Sequence, residues 1–265
     1  MNIITVNEEK CIKCELCIKE CPVNVLKMGR NGPQEIIGTT CNACGHCVAI
    51  CPNAAIDNEK APLVQQLDIG LTKLNAQQAE QFLRSRRSIR NYKDESVSRE
   101  ELTKLIDIAR LAPTAGNSQG ISFVVVQNKQ LIKKATEISI QMIENSPLRC
   151  LVEEAVRSYR ENGVDSIFRG APNLIIAISD KDLQYARDNS VSSLTYLELY
   201  APSLGLGSCW AGIFEYCASI ENSPMLKLFN IPEGKKITAA VMVGYPKYSY
   251  KRLVDRDPLD VTFIS

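Results

Sequence analysis

The stretch Cys11-Ile-Lys-Cys14-Glu-Leu-Cys17-Ile-Lys-Glu-Cys21-Pro22 decides how this chain is read, because it returns as Cys41-Asn-Ala-Cys44-Gly-His-Cys47-Val-Ala-Ile-Cys51-Pro52. Both copies spell C-x2-C-x2-C-x3-C-P, and they are offset by 30 residues. The chain has 11 cysteines, eight of them in these two runs. The amino-terminal residues MNIITVNEEK lack a basic segment followed by an apolar one, so no export leader is expected. An odd cysteine count without such a leader argues against a disulfide scaffold and for a cytoplasmic protein. In a reducing compartment, clustered cysteines bind metal.

The spacing is that of the bacterial ferredoxin run. Over about 55 residues the segment resembles the bacterial two-cluster ferredoxins. Three closely spaced thiolates can wrap one cubane from a single tight loop. The fourth cysteine is expected to start a short helix that points away, towards the other cluster. Cys11, Cys14, Cys17 and Cys51 are therefore assigned to one [4Fe–4S] cluster, and Cys41, Cys44, Cys47 and Cys21 to the other. Pro22 and Pro52 turn the chain after the fourth ligand and remove a backbone donor there. The apolar residues 23–26 and 54–56 are expected to pack over the clusters. The competing reading is a pair of four-cysteine zinc sites. Zinc ribbons use two CxxC knuckles across a longer spacer, and they need neither the third cysteine nor the trailing Cys-Pro. His46, the only histidine, is expected in a loop at the edge of a cluster, and Cys150, Cys209 and Cys217 as small core residues.

The bulk numbers bound the rest. With 265 residues and 45% apolar content, the chain can bury a sizeable core. Its 31 basic and 30 acidic residues leave a net charge of +1, which gives no reason to expect a nucleic-acid or membrane-surface partner. The most apolar stretches, 174–178 and 237–244, are too short to span a bilayer and read as buried strands. We divide the chain into residues 1–60, a linker over 61–76, and a second domain over 77–265. In the linker, Leu63, Val64, Leu67, Ile69 and Leu71 offer apolar surface for packing.

From Gln77 on, helical and strand patterns alternate. Residues 79–83 look like the end of a short helix. Ser98-Arg99-Glu100-Glu101 is a capping box, and Leu102, Leu105, Ile106 and Ala109 behind it form an amphipathic stripe that Pro113 stops. Buried strands are expected over 121–126, 173–178 and 237–244, and helices over 129–144, 148–161 and 188–204, the last ending at Gly205. Ser223 and Pro224 open a short helix to Phe229. Helices outnumber strands and tight hairpins are few, which predicts an α+β layer fold. There is no Walker A loop, and no GxGxxG follows a strand. Gly205-Leu-Gly207 reads as a helix stop, so a Rossmann nicotinamide site is not expected.

Arg86-Arg87-Ser88-Ile89-Arg90 crowds three guanidiniums and a hydroxyl into one segment. If extended, it projects Arg86, Ser88 and Arg90 to one face as charge-assisted donors for a phosphate. The motif 112–119 (Ala-Pro-Thr-Ala-Gly-Asn-Ser-Gln), the motif 205–212 (Gly-Leu-Gly-Ser-Cys-Trp-Ala-Gly) and Gly244-Tyr245-Pro246 with Lys251 and Arg252 follow it in order. In that order these motifs resemble the FMN-dependent nitroreductase family from about residue 79 to the end, and the whole chain resembles ferredoxin–nitroreductase fusions. The resemblance implies a phosphate and ribityl segment at Arg86, Arg87, Ser88 and Arg90. It implies a ring-side loop at Thr114 and Asn117, and a stretch near the flavin N5 edge at Trp210, Ala211, Gly212 and Ile213. Lys251 or Arg252 matches the late basic residue that closes on the phosphate. Gly120-Ile121 stands where the family often has a proline followed by an aromatic, which alters the substrate side of the pocket.

The expected function is an oxidoreductase that passes electrons from two [4Fe–4S] clusters to FMN and on to a nitroaromatic, quinone or similar electron-poor acceptor. Alternatives are an electron carrier or redox sensor serving a protein partner, and a flavin or enone reductase. No side chain is named as a catalytic acid or base, since the chemistry would lie on the flavin. An external low-potential electron-donor protein and a homodimer complete the expectation, with no nucleic acid and no membrane.

Overall fold

In a computed structural model, residues 3–37, 40–70, 73–147 and 149–264 are described. The chain divides into two compact units, Met1–Lys73 with Gly116–Ser118, and Leu74–Ala115 with Gln119–Ser265.

The first unit runs β1 (Ile4–Val6), α1 (Leu16–Lys19), β2 (Leu26–Gly29), β3 (Gly32–Glu35), α2 (His46–Ala49) and β4 (Ile56–Asn58). β1 pairs antiparallel with β4, and β2 with β3. The sequence repeat is also a backbone repeat. Lys13 and Ala43 have φ of 56° and 53°, Glu15 and Gly45 of 64° and 74°, and Asn24 and Ala54 of 51° and 48°. Left-handed residues just before α1 and α2 coil each cysteine loop back on itself. Ile4, Val25, Leu26, Val48 and Ile56 form the small core between the copies.

Two expectations are corrected here, and a third is met in part. The helical turn comes before the fourth cysteine of each run: it contains Cys17 or Cys47, and Cys21 and Cys51 follow it. A residue ahead of proline is disfavoured in the helical region, so Cys21 and Cys51 end a turn where they were expected to start one. His46 is the first residue of α2 and not a loop residue. Of the linker's apolar residues, Leu63 packs on the small core, whereas Val64, Leu67 and Ile69 are exposed and Leu71 lies outside the described residues.

The second unit contains α3 (Ala76–Ser85), α4 (Arg99–Ala109), β5 (Ser122–Val126), α5 (Lys129–Glu144), α6 (Arg149–Asn162), β6 (Asn173–Asp180), α7 (Ala186–Tyr200), β7 (Gly207–Trp210), α8 (Gly212–Ser219), α9 (Pro224–Leu228) and β8 (Lys235–Gly244). The four strands form one antiparallel sheet in the order β5-β6-β8-β7. Successive side chains point to opposite faces. Leu174, Ile176, Ala240 and Met242 therefore join the core that includes Ile140 of α5, Phe214 of α8 and Met225 of α9. Ile175, Ala177, Ala239 and Val241 join Leu105 of α4 with Leu194 and Leu197 of α7. Central strands covered on both faces carry apolar side chains on both, which is why 174–178 and, apart from Thr238, 237–244 read as apolar runs.

The capping box forms as expected: Ser98 Oγ accepts from Glu101 N at 3.1 Å, and Glu101 Oε2 accepts from Ser98 N at 3.1 Å. β5 differs from the buried strand expected over 121–126. It is an edge strand with Ser122 and Val125 exposed. The helix expected over 188–204 stops at Tyr200, and a 3-10 turn, Ala201–Leu204, carries Pro202. Gly205, at φ 70°, ends that turn as expected, but Gly207 opens β7. β7 and α8 were not anticipated. The helix expected over 148–161 is α6, and Leu148 lies outside the described residues. Cys209 and Cys217 are buried, but Cys150 is exposed on α6 and is not a core residue.

Candidate functional site

In the first unit the eight repeat cysteines line two cavities. One is lined by Cys11, Cys14, Cys17 and Cys51. The other is lined by Cys21, Cys41, Cys44 and Cys47. Each cavity takes three thiols from one repeat and one from the other. Backbone N–H groups point at the sulfurs: Val25 N donates to Cys21 Sγ at 3.4 Å, Ala43 N to Cys41 Sγ at 3.3 Å and Ala55 N to Cys51 Sγ at 3.2 Å. Burial, with the Cys47 and Cys51 thiols adding to it, pushes the Cys17 thiol up to about 11. Burial also raises Cys47, while the Asn58 amide pulls it the other way. A thiol raised in this way is protonated at neutral pH unless a metal takes the proton's place. Among the described residues, no group of three or more His, Cys, Asp or Glu side chains could hold a single metal ion. Four sulfurs spread too widely for one ion, in the C-x2-C-x2-C-x3-C spacing, fit a cubane cluster better.

In the second unit the Arg86–Arg90 segment leaves the end of α3 and lies along β7. Ser88 makes a parallel bridge with Ser208, and Ile89 N donates to Ser208 O at 2.8 Å. The contact is close because residue 207 has no side chain. A Cβ on Gly207 would stand 2.3 Å from Ile89 Cγ1 and 2.9 Å from Ile89 Cβ. The chain past β8 returns to the same place. Tyr92 bridges Pro246, the Arg87 guanidinium sits 5.5 Å from the centroid of the Tyr250 ring, and Tyr250 Oη donates to Ser88 O at 3.5 Å.

A buried carboxylate joins the segment to β7. Glu198 of α7, its side chain 5% exposed, has Oε1 3.6 Å from Arg86 Nη1. The same oxygen accepts from Ser208 Oγ at 3.0 Å, and Oε2 accepts from Trp210 Nε1 at 2.7 Å. Its two oxygens thus meet a guanidinium, a hydroxyl and an indole N–H, the pairing a buried charge requires. Over the face of Trp210, the Arg187 guanidinium lies 5.4 Å from the ring centroid and pairs with Glu215 at 3.0 Å. Glu215 Oε1 accepts from Ala240 N at 2.6 Å, which ties the first turn of α8 to β8.

Sequence reasoning missed Glu198, Arg187 and Glu215. For Glu198 a signal existed: it is a carboxylate beside Leu194, Leu197 and Ala201 on the apolar face of a helix, where a charge has to be paired. Nothing local marks Arg187 or Glu215.

The structure brings Arg86, Arg87 and Ser88 together with Trp210, and Ala211, Gly212 and Ile213 continue directly into α8. Arg90 is exposed at the end of the segment. Arg87 Nε is buried and, among the described residues, has no hydrogen-bond partner. Thr114 Oγ1 accepts from Gln119 N at 2.9 Å, and the next residue, Ala115, donates its N–H to Asn189 of α7. Asn117 belongs to the first unit, where its Nδ2 donates to the carbonyls of Asn42 at 2.9 Å and Ala43 at 3.1 Å. Lys251 and Arg252 are exposed in the chain beyond Tyr250. No described helix is long and apolar enough to cross a membrane.

Comparison with known proteins gives two family matches. A model described as the nitroreductase family covers residues 83–245, and a 4Fe-4S dicluster domain covers residues 3–52. A Methanothermobacter thermautotrophicus protein named "Putative NADH dehydrogenase/NAD(P)H nitroreductase" is 30% identical over 169 residues, which is 62% of this chain and 75% of that one. A ferredoxin of Pyrobaculum islandicum is 34% identical over 53 residues, 20% of this chain and 50% of its own. In fold, the chain is similar to a Bacteroides fragilis nitroreductase solved with bound FMN. The TM-score is 0.58 at 19% identity, over 72% of this chain and 100% of that one.

Proposed function

The chain belongs to the nitroreductase family and carries a 4Fe-4S dicluster domain ahead of it, and from that premise we propose that it is an FMN-dependent oxidoreductase served by two [4Fe–4S] clusters. When bound, the clusters supply single electrons, and FMN supplies their two-electron delivery to a nitroaromatic, a quinone or a similar flat acceptor. The observation that carries this reading is the distribution of eight thiols around two cavities, each built from both repeats.

The residues' own tasks follow from their positions. Cys11, Cys14, Cys17 and Cys51 hold one cluster, and Cys41, Cys44, Cys47 and Cys21 hold the other. Arg86, Arg87, Ser88 and Arg90 take the FMN phosphate and ribityl chain, with Lys251 or Arg252 closing on them. The buried, unpartnered Nε of Arg87 fits an acceptor of that kind. Thr114 and the stretch from Trp210 to Ile213 border the ring. Glu198 orients this frame by holding Arg86 with one oxygen and Trp210 with the other. The working form is a cytoplasmic homodimer fed by a low-potential donor protein.

The test is an anaerobic preparation with iron and FMN quantified, followed by turnover of a nitroaromatic with reduced ferredoxin as donor. About eight iron atoms and one FMN per chain are expected from two four-iron clusters and one flavin. Cys17→Ala lowers the iron content and leaves FMN in place. Zinc in place of iron, or no bound flavin, overturns the reading.

A further inference from the structure

The two thiol-lined cavities come from two copies of one repeat, so a difference between them is a difference between equivalent positions. At the offset of 30 that relates the cysteines, Met28 of β2 corresponds to Asn58 of β4. Met28 lines the cavity of Cys11, Cys14, Cys17 and Cys51, and Asn58 lines the other. Asn58 is 1% exposed, and its Nδ2 donates to Cys41 Sγ at 3.8 Å. Its Oδ1 accepts from Lys60 N at 2.9 Å. That second contact settles which end of the amide faces the sulfur, since only an oxygen can accept from a backbone N–H. The thioether of Met28 has no hydrogen to donate.

Resting on the two-cluster reading above, we propose that Asn58 makes the two sites electronically unequal: its amide raises the reduction potential of the cluster held by Cys21, Cys41, Cys44 and Cys47. Reduction adds negative charge that spreads over the sulfurs. A buried N–H dipole aimed at a ligand sulfur stabilises the more negative state, and hydrogen bonding to sulfur is one of the levers that set such potentials. The charged side chains around the cavities are a separate influence. Lys10 and Lys13 border the first cavity as exposed cations, with Lys13 Nζ donating to Arg30 O at 3.0 Å. His46 borders the second cavity, with its Nδ1 4.0 Å from Glu20 Oε1. Solvent screens these exposed groups, and a substitution at residue 58 leaves them in place.

The experiment is an anaerobic reduction titration of the full holoprotein, followed by EPR, with iron measured first. Asn58→Leu removes the donor. Asn58→Met also removes it and adds no charge, since it places at residue 58 the side chain of the equivalent position. Met28→Asn adds a donor to the other site. In both Asn58 variants one wave is expected to move to lower potential by about 59 mV or more, a tenfold change for a one-electron couple, while the other wave stays. In Met28→Asn the other wave moves up. Two unmoved waves, or equal movement of both, overturn the proposal. Should Asn58→Leu lose iron, Asn58→Met and Met28→Asn decide the matter. An unsubstituted protein without iron overturns the two-cluster reading instead, so the two failures are told apart.

Discussion

Arg86 and Glu198 show how much of this site turns on one pair of side chains. The guanidinium is 25% exposed and the carboxylate 5%, at 3.6 Å, so the pair lies partly within the protein. Arg86→Ala removes the proposed phosphate donor and leaves Glu198 with only the Ser208 hydroxyl and the Trp210 indole. FMN affinity should fall by roughly 1.5–3 kcal/mol, the worth of a charged hydrogen bond, as read by flavin titration of the apoprotein. The melting temperature should fall as well, because a buried carboxylate has lost its cation. An affinity unchanged from the parent would place the phosphate elsewhere.

At the scale of elements, the docking of the Arg86–Arg90 segment on β7 depends on the bare backbone of Gly207. A methyl there meets the branched carbons of Ile89, which cannot swing away as the end of a long side chain could. Gly207→Ala should therefore lift the segment off the strand at a cost of roughly 1–3 kcal/mol in chemical denaturation, with weaker FMN retention. The sheet itself should survive, since β6 and β8 form its centre and are buried on both faces. A variant with the parent's denaturation midpoint and full flavin would show that the contact is slack.

For the whole molecule, the fusion of a 4Fe-4S dicluster domain to a nitroreductase domain sets the expected electron source. Reduced ferredoxin should bleach the flavin of the anaerobic protein faster than NADPH does, as followed by stopped-flow absorbance. Replacing Cys17 and Cys47 together should abolish that advantage. NADPH outpacing ferredoxin in the unsubstituted protein would make the clusters dispensable for flavin reduction.

The eight cysteines, their repeat, the capping box before α4, and the continuous apolar runs of β6 and β8 were all legible in the residues alone. Each is a short-range pattern, and spacing along the chain carries the physics that produces it. The amide of Asn58 facing a sulfur 17 residues away, Glu198 meeting Arg86, and Gly207 lying under Ile89 were decided only by tertiary packing. Those contacts join residues that no local periodicity relates. Their partners are set by how strands and helices close over one another, and β7 and α8 were missed for the same reason.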